Sequence, residues 1–291
     1  MRLRVRHRTH YAYGEAVTTS HHEARLSPRE SEHQRTVSQD IQINPAPATR
    51  RRRFDYFGNR TVHFSLSAPH RELEVIATSV VDTFAPPVPP LDATPPWEQI
   101  RERLRTDRRR DVLDAFAMTL ESPNVPLLDM LREYAEPSFA QGTPILVGVR
   151  DLVARIHKDF IYDSTATDLL TPLDQVFEQK RGVCQDFAHL AIGCIRSHGL
   201  AARYVSGYLL TRPPPGKQKL IGADASHAWI SVWVAEQGWV DFDPTNDVIP
   251  EDEHISTAFG RDFSDVTPLR GVLLGAGNHT LSVQVDVSPT T

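Results

Sequence analysis

The sequence of 291 residues contains two cysteines, and one of them stands where a reactive thiol would be expected. Cys184 follows Arg181-Gly-Val and opens a stretch whose apolar residues recur at spacings of three and four. This spacing predicts a helix over 184–198, which Gly199 ends. Free N–H groups at the start of a helix stabilise a thiolate and can donate to an oxyanion. Cys184 is therefore the candidate nucleophile.

Cys194 lies ten residues further along the same predicted helix, which is about 15 Å at 1.5 Å per residue. A disulfide joins Cα atoms that are only about 4.4–6.8 Å apart, so the two cysteines cannot pair within this helix. The neighbours of Cys194 are apolar, and we expect it to be a core residue.

A general base for the thiol is offered by His227, at the beginning of the alternating stretch 226–234. A second alternating stretch follows, and Asp243 comes directly after it. If residues 235–237 form a three-residue loop, the two stretches make a hairpin in which Trp229 faces Asp243. His227 is then the diagonal neighbour of Asp243 on the same face of the sheet. The opposite face is uniformly apolar and is predicted to be core: Ala228, Ile230, Val232, Val234, Val240 and Phe242.

These residue types predict nucleophilic catalysis. A thiol is mostly protonated at neutral pH, so an imidazole must take its proton. A carboxylate on the second imidazole nitrogen fixes the tautomer, a role open to Asp243 or to Asp241 on the same face. Cys184 would attack an amide or acyl carbonyl, and His227 would protonate the leaving amine. Water or a second amine would then resolve the thioester.

Four motifs in this order resemble the transglutaminase-like superfamily: Gly182-Val-Cys-Gln-Asp-Phe-Ala, Arg203-Tyr-Val-Ser-Gly-Tyr, His227-Ala-Trp and Trp239-Val-Asp-Phe-Asp-Pro-Thr. Residues 1–85 are similar to the β-rich N-terminal region of bacterial transglutaminase-like proteins, and the tail to Val287 fits them too. The resemblance implies a papain-like α+β core, with helices packed on an antiparallel sheet. It also implies a triad of Cys184, His227 and Asp243, favours Asp243 over Asp241, and implies neither a metal nor another cofactor.

The resemblance further implies an aromatic residue upstream of the nucleophile that helps to stabilise the oxyanion. Tyr162, in Phe160-Ile-Tyr-Asp, is the candidate, with core packing as the alternative. Residues that could wall a substrate groove are Gln185, Tyr208, Trp229 and Trp239. Aromatic residues also fill cores, and Gln185 could instead supply an amide donor, so these alternatives stay open.

The rest of the chain must position these residues, and its patterns change at a proline-rich stretch. Before it, period-two alternation predicts strands over 3–7, 36–43, 60–66 and 73–81. We therefore expect a small β-rich domain over residues 1–85. Six prolines between Phe84 and Pro96 predict a stiff, extended linker over residues 86–96.

Residues 97–291 are predicted to form the α+β catalytic domain. The predicted helices are 97–105, 111–121, 126–134, 145–160, 174–179 and 184–198. The predicted strands that follow are 203–210, 226–234, 238–242 and 280–287.

Composition limits the other classes of function. Residues 1–110 carry 19 basic and 13 acidic side chains, but the whole chain has a net charge of −5. The arginine runs 50–53 and 101–110 have neither interleaved aromatics nor a recognition motif, so we expect solvated surface, a strand edge at 50–53, and no nucleic-acid partner. No apolar run is long enough to span a bilayer, and residues 1–10 do not resemble a signal peptide. We therefore expect a cytoplasmic protein without a membrane partner.

The leading hypothesis is a cysteine amide hydrolase or peptidase that forms a thioester acyl-enzyme. Its expected partner is a peptide or protein substrate with an amide or glutamine-type carbonyl. The first alternative is transglutaminase-type acyl transfer to an amine, which uses the same chemistry up to the thioester. The second, of a different class, is a binding or assembly module on the same fold without turnover.

Overall fold

The first third of the chain forms six strands, and buried and exposed side chains alternate along much of β1, β2 and β6. The computed structural model describes residues 1–168, 171–211 and 226–290. The strands are β1 (Arg2–Val17), β2 (Thr19–Ala24), β3 (Gln34–Asn44), β4 (Thr49–Phe54), β5 (Arg60–Leu66) and β6 (His70–Thr83). The four predicted strands lie within β1, β3, β5 and β6. The arginine run lies in β4, whose six residues are all exposed, as expected of a strand edge.

Helices begin after the proline-rich stretch, which itself contains a single 3₁₀ turn, Leu91–Ala93, between residues 84 and 96. They are α1 (Trp97–Thr106), α2 (Arg110–Phe116), α3 (Asp129–Ala135), α4 (Ile145–Asp159), α5 (Leu173–Gln179) and α6 (Cys184–Ser197). Two short strands, β7 (Ile161–Tyr162) and β8 (Arg181–Gly182), flank α5. Each helix corresponds to a predicted one, although α2 is followed at Ala117–Thr119 by a 3₁₀ turn.

The helix α6 is central to the second half of the molecule. Every residue from Asp186 to Arg196 is buried, so the helix is surrounded by other elements rather than lying on the surface. It contacts α3, α4 and α5 on one side and the strands that follow it on the other. Gly199 has a φ of +73°, the left-handed conformation that ends a helix at low cost.

A four-stranded antiparallel sheet packs against these helices. Its strands are β9 (Ala202–Leu209), β10 (Ser226–Val234), β11 (Gly238–Phe242) and β12 (His254–Gly260), in the order β11-β10-β9-β12. Ile230 pairs with Phe242 and Val234 with Gly238, so the loop has the three residues that the sequence predicted. The six apolar residues predicted to face the core belong to the same buried cluster as the helices, which confirms that face.

The end of the chain returns to the first sheets, and here the structure differs from the predicted catalytic domain of residues 97–291. After α7 (Phe263–Val266), strand β13 (Leu269–Leu274) pairs with β2, and β14 (His279–Pro289) pairs with β1. The two N-terminal sheets therefore have the orders β14-β1-β6-β3 and β13-β2-β5-β4. The apolar residues Val285 and Val287 are buried against Leu3 and Val5, which explains why this strand adds to β1.

The observed architecture is thus a β-rich N-terminal region followed by helices on an antiparallel sheet, the α+β class that the sequence predicted. Within the described ranges, the protein contains no helix that combines the length and the apolar character needed to cross a membrane.

Candidate active site

Cys184 is the first residue of α6, and a pair of short parallel strands leads the chain to it. In this pair, Tyr162 of β7 lies opposite Gly182 of β8. A side chain at position 182 would not fit, because a Cβ there would lie 2.7 Å from a carboxylate oxygen of Asp186. That oxygen accepts the N–H of Val183 at 2.8 Å and so caps the first turn of α6. Cys184 is therefore fixed, partly exposed, at a helix N-terminus.

His227 connects this thiol to a carboxylate. Its Nε2 donates a hydrogen bond of 2.7 Å to Oδ2 of Asp243. The Cys184 thiol lies close enough to the imidazole to raise its pKa. With Nε2 bound to the carboxylate, Nδ1 is the nitrogen available to the thiol proton. The structure thus brings Cys184, His227 and Asp243 together, with the imidazole in the middle.

Asp243 is fully buried, and hydrogen-bond donors surround its carboxylate. Oδ1 accepts the backbone N–H groups of Thr245 at 2.9 Å and Asn246 at 3.1 Å. Oδ2 accepts Nδ2 of Asn246 at 2.7 Å and Nε2 of His254 at 3.2 Å, in addition to His227. Because donors converge on both oxygens, the carboxylate is held as an anion in one orientation.

The loop that carries Asp243 is tied to helix α4. Arg150 of this helix forms an ion pair with Asp247. About two turns further along, Nδ1 of His157 donates a hydrogen bond of 2.9 Å to the backbone carbonyl of Thr245. Two contacts from one rigid helix therefore fix the loop on both sides of its turn.

The hydrogen bonds change the proton affinities of the site. Burial by itself would lower the pKa of His227, but the hydrogen bond with Asp243, the nearby Cys184 thiol and the charges of both groups raise it to about 10. Burial by itself would raise the pKa of Asp243, yet the hydrogen bonds from His227 and His254 hold it well below its usual range. A protonated His227 beside an ionised Asp243 stabilises a thiolate at Cys184.

Asp241, the alternative carboxylate, has a different partner. Its Oδ2 accepts the indole N–H of Trp229 at 3.0 Å. Trp229 is 0% exposed, and its ring lies 6.0 Å from that of His227 and 5.1 Å from that of His254. The prediction that Trp229 walls a substrate groove is therefore wrong, because solvent and substrate cannot reach it. It packs against the imidazoles instead.

The two other aromatic groove candidates lie elsewhere. Tyr208 is 3% exposed, and its hydroxyl shares a hydrogen bond of 3.0 Å with Nδ1 of His7. Its predicted groove role is wrong, since the N-terminal region covers this end of β9. Trp239 is partly exposed and stacks against the guanidinium of Arg203 at 4.2 Å. Trp239 precedes Asp243 by four residues, which separates the two by about 13 Å along an extended strand. Its role in a substrate groove stays a prediction.

Tyr162 lies beside the approach to the nucleophile. It is 53% exposed, and its ring packs edge-on against Phe187 of α6 at 6.4 Å. Burial raises the pKa of the Tyr162 hydroxyl, and a negative charge on Cys184 raises it further. The hydroxyl therefore stays protonated at neutral pH and is able to donate a hydrogen bond.

Gln185 lines a cavity next to the nucleophile's helix. The cavity has a volume of about 380 Å³. Its walls come from α5, from the first turns of α6 and from the segment before α3: they include Asn124, Leu173, Asp174, Gln185, Asp186 and His189. An amide side chain on the wall of a cavity is compatible with substrate binding. The role of Gln185 in a substrate groove stays a prediction.

Three donor atoms of the site could in principle hold a metal ion. Those of His227, Asp243 and His254 all lie within 4.8 Å of one another. Oδ2 of Asp243 lies 2.7 Å from Nε2 of His227 and 3.2 Å from Nε2 of His254, and both distances are typical of N–H···O hydrogen bonds. An ion about 2.0–2.2 Å from each donor would replace both protons and withdraw Nε2 of His227 from Asp243. The hydrogen bonds account for this arrangement without an ion.

The sequence reasoning did not identify Asn246 and His254. Asn246 follows Asp243 within the same motif, and its side chain could have been suspected from the turn alone. His254 begins a strand that the sequence did not predict. Its approach to Asp243 depends on the pairing of β12 with β9, which no local pattern signals.

Two family models match parts of this sequence. Residues 3–82 match the family model of the bacterial transglutaminase-like N-terminal region, and residues 132–244 match that of the transglutaminase-like superfamily. An uncharacterised protein of Mycobacterium tuberculosis is 43% identical over 297 residues, which cover 99% of this chain and 93% of that one.

Two further matches are more distant or shorter. A protein-glutamine gamma-glutamyltransferase of Pseudomonas aeruginosa is 33% identical over 108 residues, 34% of this chain and 16% of that protein. A crystal structure of a Cytophaga hutchinsonii protein, provisionally described as a cysteine protease, aligns with a TM-score of 0.76 at 19% identity. The alignment covers 99% of this chain and 90% of that one, and it demonstrates a shared fold.

Proposed function

The chain belongs to the transglutaminase-like superfamily, and we propose that it is a cysteine-dependent amide hydrolase acting through Cys184, His227 and Asp243. The observation that carries this proposal is the buried hydrogen bond between the His227 imidazole and Asp243, with the Cys184 thiol close enough to the same imidazole to shift its pKa. A thiol at a helix N-terminus with such partners is the arrangement that nucleophilic catalysis requires.

In the first step, the Cys184 thiolate attacks the carbonyl carbon of an amide. The oxyanion that forms lies near the N–H groups of the first turn of α6, which donate to it. The hydroxyl of Tyr162 is a second donor for this charge. Protonated His227 then gives its proton to the leaving nitrogen, the C–N bond breaks, and an amine and a thioester result.

In the second step, a nucleophile resolves the thioester. His227 takes a proton from water while the water oxygen attacks the thioester carbonyl. The C–S bond then breaks, the carboxylic acid is released, and the Cys184 thiolate is regenerated beside protonated His227. Water has access to this site, because Cys184 is partly exposed and Tyr162 is half-exposed. Hydrolysis is therefore our first candidate for the outcome.

Acyl transfer to a primary amine is the second candidate. It is favoured by the similarity of about a third of the chain to a protein-glutamine gamma-glutamyltransferase. Both outcomes share the thioester and differ only in whether water or an amine attacks it. The substrate in either case is a peptide or protein with an amide or glutamine-type carbonyl, which could lie along Gln185 and its cavity.

Two features argue for turnover rather than for a binding module. The Cys184 thiol and the Asp243 carboxylate both interact with the His227 imidazole, and the carboxylate accepts hydrogen bonds from His227, Asn246 and His254. The arginines of β4 are exposed along a strand edge, and we propose no nucleic-acid partner for them.

Both cysteines are free thiols, which suits a reducing compartment such as the cytoplasm, and this location stays a prediction.

Incubation with a library of peptides and intact proteins, with and without a primary amine, tests the proposal. Mass spectrometry distinguishes cleavage, deamidation and amine incorporation. We expect hydrolysis or deamidation in the wild type, its loss in Cys184→Ala, and its persistence in the matched variant Cys194→Ala. Turnover that survives in Cys184→Ala would contradict the assignment. Amine-dependent products alone would select the acyl-transfer alternative.

A further inference from the structure

The strand β12 joins the triad to the N-terminal sheets. It is an edge strand of the four-stranded sheet β11-β10-β9-β12, called the catalytic sheet below, and β9 pairs with it on one side. The exposed backbone groups of an edge strand normally need a cover. Here the cover consists of two side chains and one backbone N–H group from the N-terminal region rather than of another strand.

Two side-chain amides pair with the outer edge of β12 as a strand would. Gln34 accepts the N–H of Ser256 at 2.8 Å and donates to its carbonyl at 2.8 Å. Asn59 accepts the N–H of Phe259 at 2.8 Å and donates to its carbonyl at 2.7 Å. The backbone N–H of Arg29 also donates to the Ser256 carbonyl at 3.0 Å. Both amide side chains are buried, so water competes little for these bonds.

His254 is the first residue of this strand, two positions before Ser256. Its Nε2 lies 3.2 Å from Oδ2 of Asp243, and since a carboxylate only accepts, the imidazole must donate. Its Nδ1 is buried and has no hydrogen-bond partner among the described groups. A buried nitrogen left unpaired is costly, so the histidine is difficult to explain by packing against Trp229 alone. Its bond to Asp243 explains it.

We propose that His254 is a positioning residue for Asp243 and that the N-terminal sheets hold it in place through the Gln34 contact with β12. This inference rests on the proposed function of the triad. His254 and Asn246 together prevent the Asp243 carboxylate from turning away from His227. The N-terminal region then helps to position the triad although it contacts none of the three triad residues through Gln34.

Alkylation of Cys184 by iodoacetamide measures the state of the triad without a known substrate. In His254→Phe the ring volume is kept and the donor is lost, and we expect an alkylation rate at least about tenfold below that of the wild type. In His254→Gln an amide donor of similar reach is kept, and we expect most of the rate to return. If His254 had only a structural role, the two variants would be alkylated at the same rate. The comparison requires that both variants unfold at similar temperatures.

The N-terminal contribution is tested with a matched pair of glutamines on β3. Gln34→Ala removes both contacts with Ser256, and we expect alkylation to slow by about threefold or more. Gln39, on the same strand, bonds to Ser27 within the N-terminal region. Gln39→Ala should therefore leave the alkylation rate unchanged. This pair tests the coupling even if His254→Phe does not fold.

The outcomes separate the two proposals. If Cys184 of the wild type reacts no faster than free cysteine, the proposed triad fails. If it reacts fast in the wild type and equally fast in folded His254→Phe, the positioning role of His254 is overturned. Equal rates in Gln34→Ala and Gln39→Ala would overturn the contribution of the N-terminal sheets.

Discussion

The two cysteines show how position along one helix decides the chemistry of a side chain. Cys184 lies at the beginning of α6, partly exposed and close to the His227 imidazole. Cys194 is fully buried in the middle of the helix, and burial raises the pKa of its thiol to about 12. The same residue type is therefore available for reaction in one place and protonated and inert in the other.

This contrast predicts selective alkylation. With limiting iodoacetamide under native conditions, we expect modification of Cys184 to outpace that of Cys194 by at least about a hundredfold. Peptide mapping by mass spectrometry measures both rates in one sample. The denatured protein is the control, since both thiols should then react alike. Faster modification of Cys194 in the native protein would contradict the assignment of the nucleophile.

The pKa of His227 predicts how stability depends on pH. Its folded value, about 10, lies above the ordinary value of 6.5. The charged pair with Asp243 therefore contributes its full stability below pH 6.5, and this contribution is lost as the pH rises through about 10. We expect the difference in free energy of unfolding between the wild type and His227→Gln to shrink between pH 6 and pH 10.5. Urea titrations at both values measure it, and a constant difference would contradict the raised pKa.

At the scale of elements, a buried arginine joins the end of α6 to the catalytic sheet. Arg196 donates from Nε and Nη2 to the carbonyl of Ala202, at 3.1 and 2.9 Å, where β9 begins. It also donates to the carbonyl of Arg261 at 2.7 Å and to the hydroxyl of Ser122 at 3.2 Å. One side chain thus satisfies acceptors from three segments that surround the nucleophile's helix.

Removing this guanidinium should destabilise the whole catalytic unit. Arg196→Met keeps much of the volume but leaves buried carbonyls unpaired, and we expect a loss of about 2–4 kcal/mol in the free energy of unfolding. Arg105→Met, at an exposed position of α1, is the matched control and should change it by less than about 0.5 kcal/mol. Chemical denaturation measures both. A similar small effect in the two variants would show that Arg196 does not hold α6 to β9.

At the scale of the whole molecule, the last strand unites the two halves of the protein. Val285 of β14 is buried in one cluster with Val5 of β1, Val81 of β6 and Ile255 of β12. This cluster contains residues from the beginning, the middle and the end of the chain. The N-terminal sheets therefore depend on residues that lie after the catalytic sheet, and we expect the molecule to unfold as a unit.

Two valines on β14 test this arrangement. Val285 is 0% exposed, whereas Val283 on the same strand is 47% exposed. We expect Val285→Ala to lower the free energy of unfolding by about 2 kcal/mol and Val283→Ala by less than about 0.5 kcal/mol. Denaturation followed separately by fluorescence and circular dichroism should give coincident transitions. Equal effects of the two substitutions would mean that β14 does not contribute to the core.

Local features could be predicted from the sequence because local forces decide them. Helical spacing placed α6 and its first residue, Cys184. The alternation of side chains and the three-residue loop determined the register of the hairpin, and with it the neighbourhood of His227 and Asp243. Such hairpin geometry depends on a few adjacent residues, whose conformations restrict one another directly.

The tertiary structure decided which faces are covered and which distant strands meet. Alternation showed that Trp229 and Tyr208 lie on definite faces of their strands, but not that other elements bury them. The pairing of β14 with β1 and the approach of His254 to Asp243 join residues far apart in the chain. Burial depends on the summed packing of many elements, and no single stretch of sequence encodes it. The sequence thus predicted the hairpin that brings His227 close to Asp243, whereas only the tertiary structure decided which side chains of the N-terminal sheets contact β12.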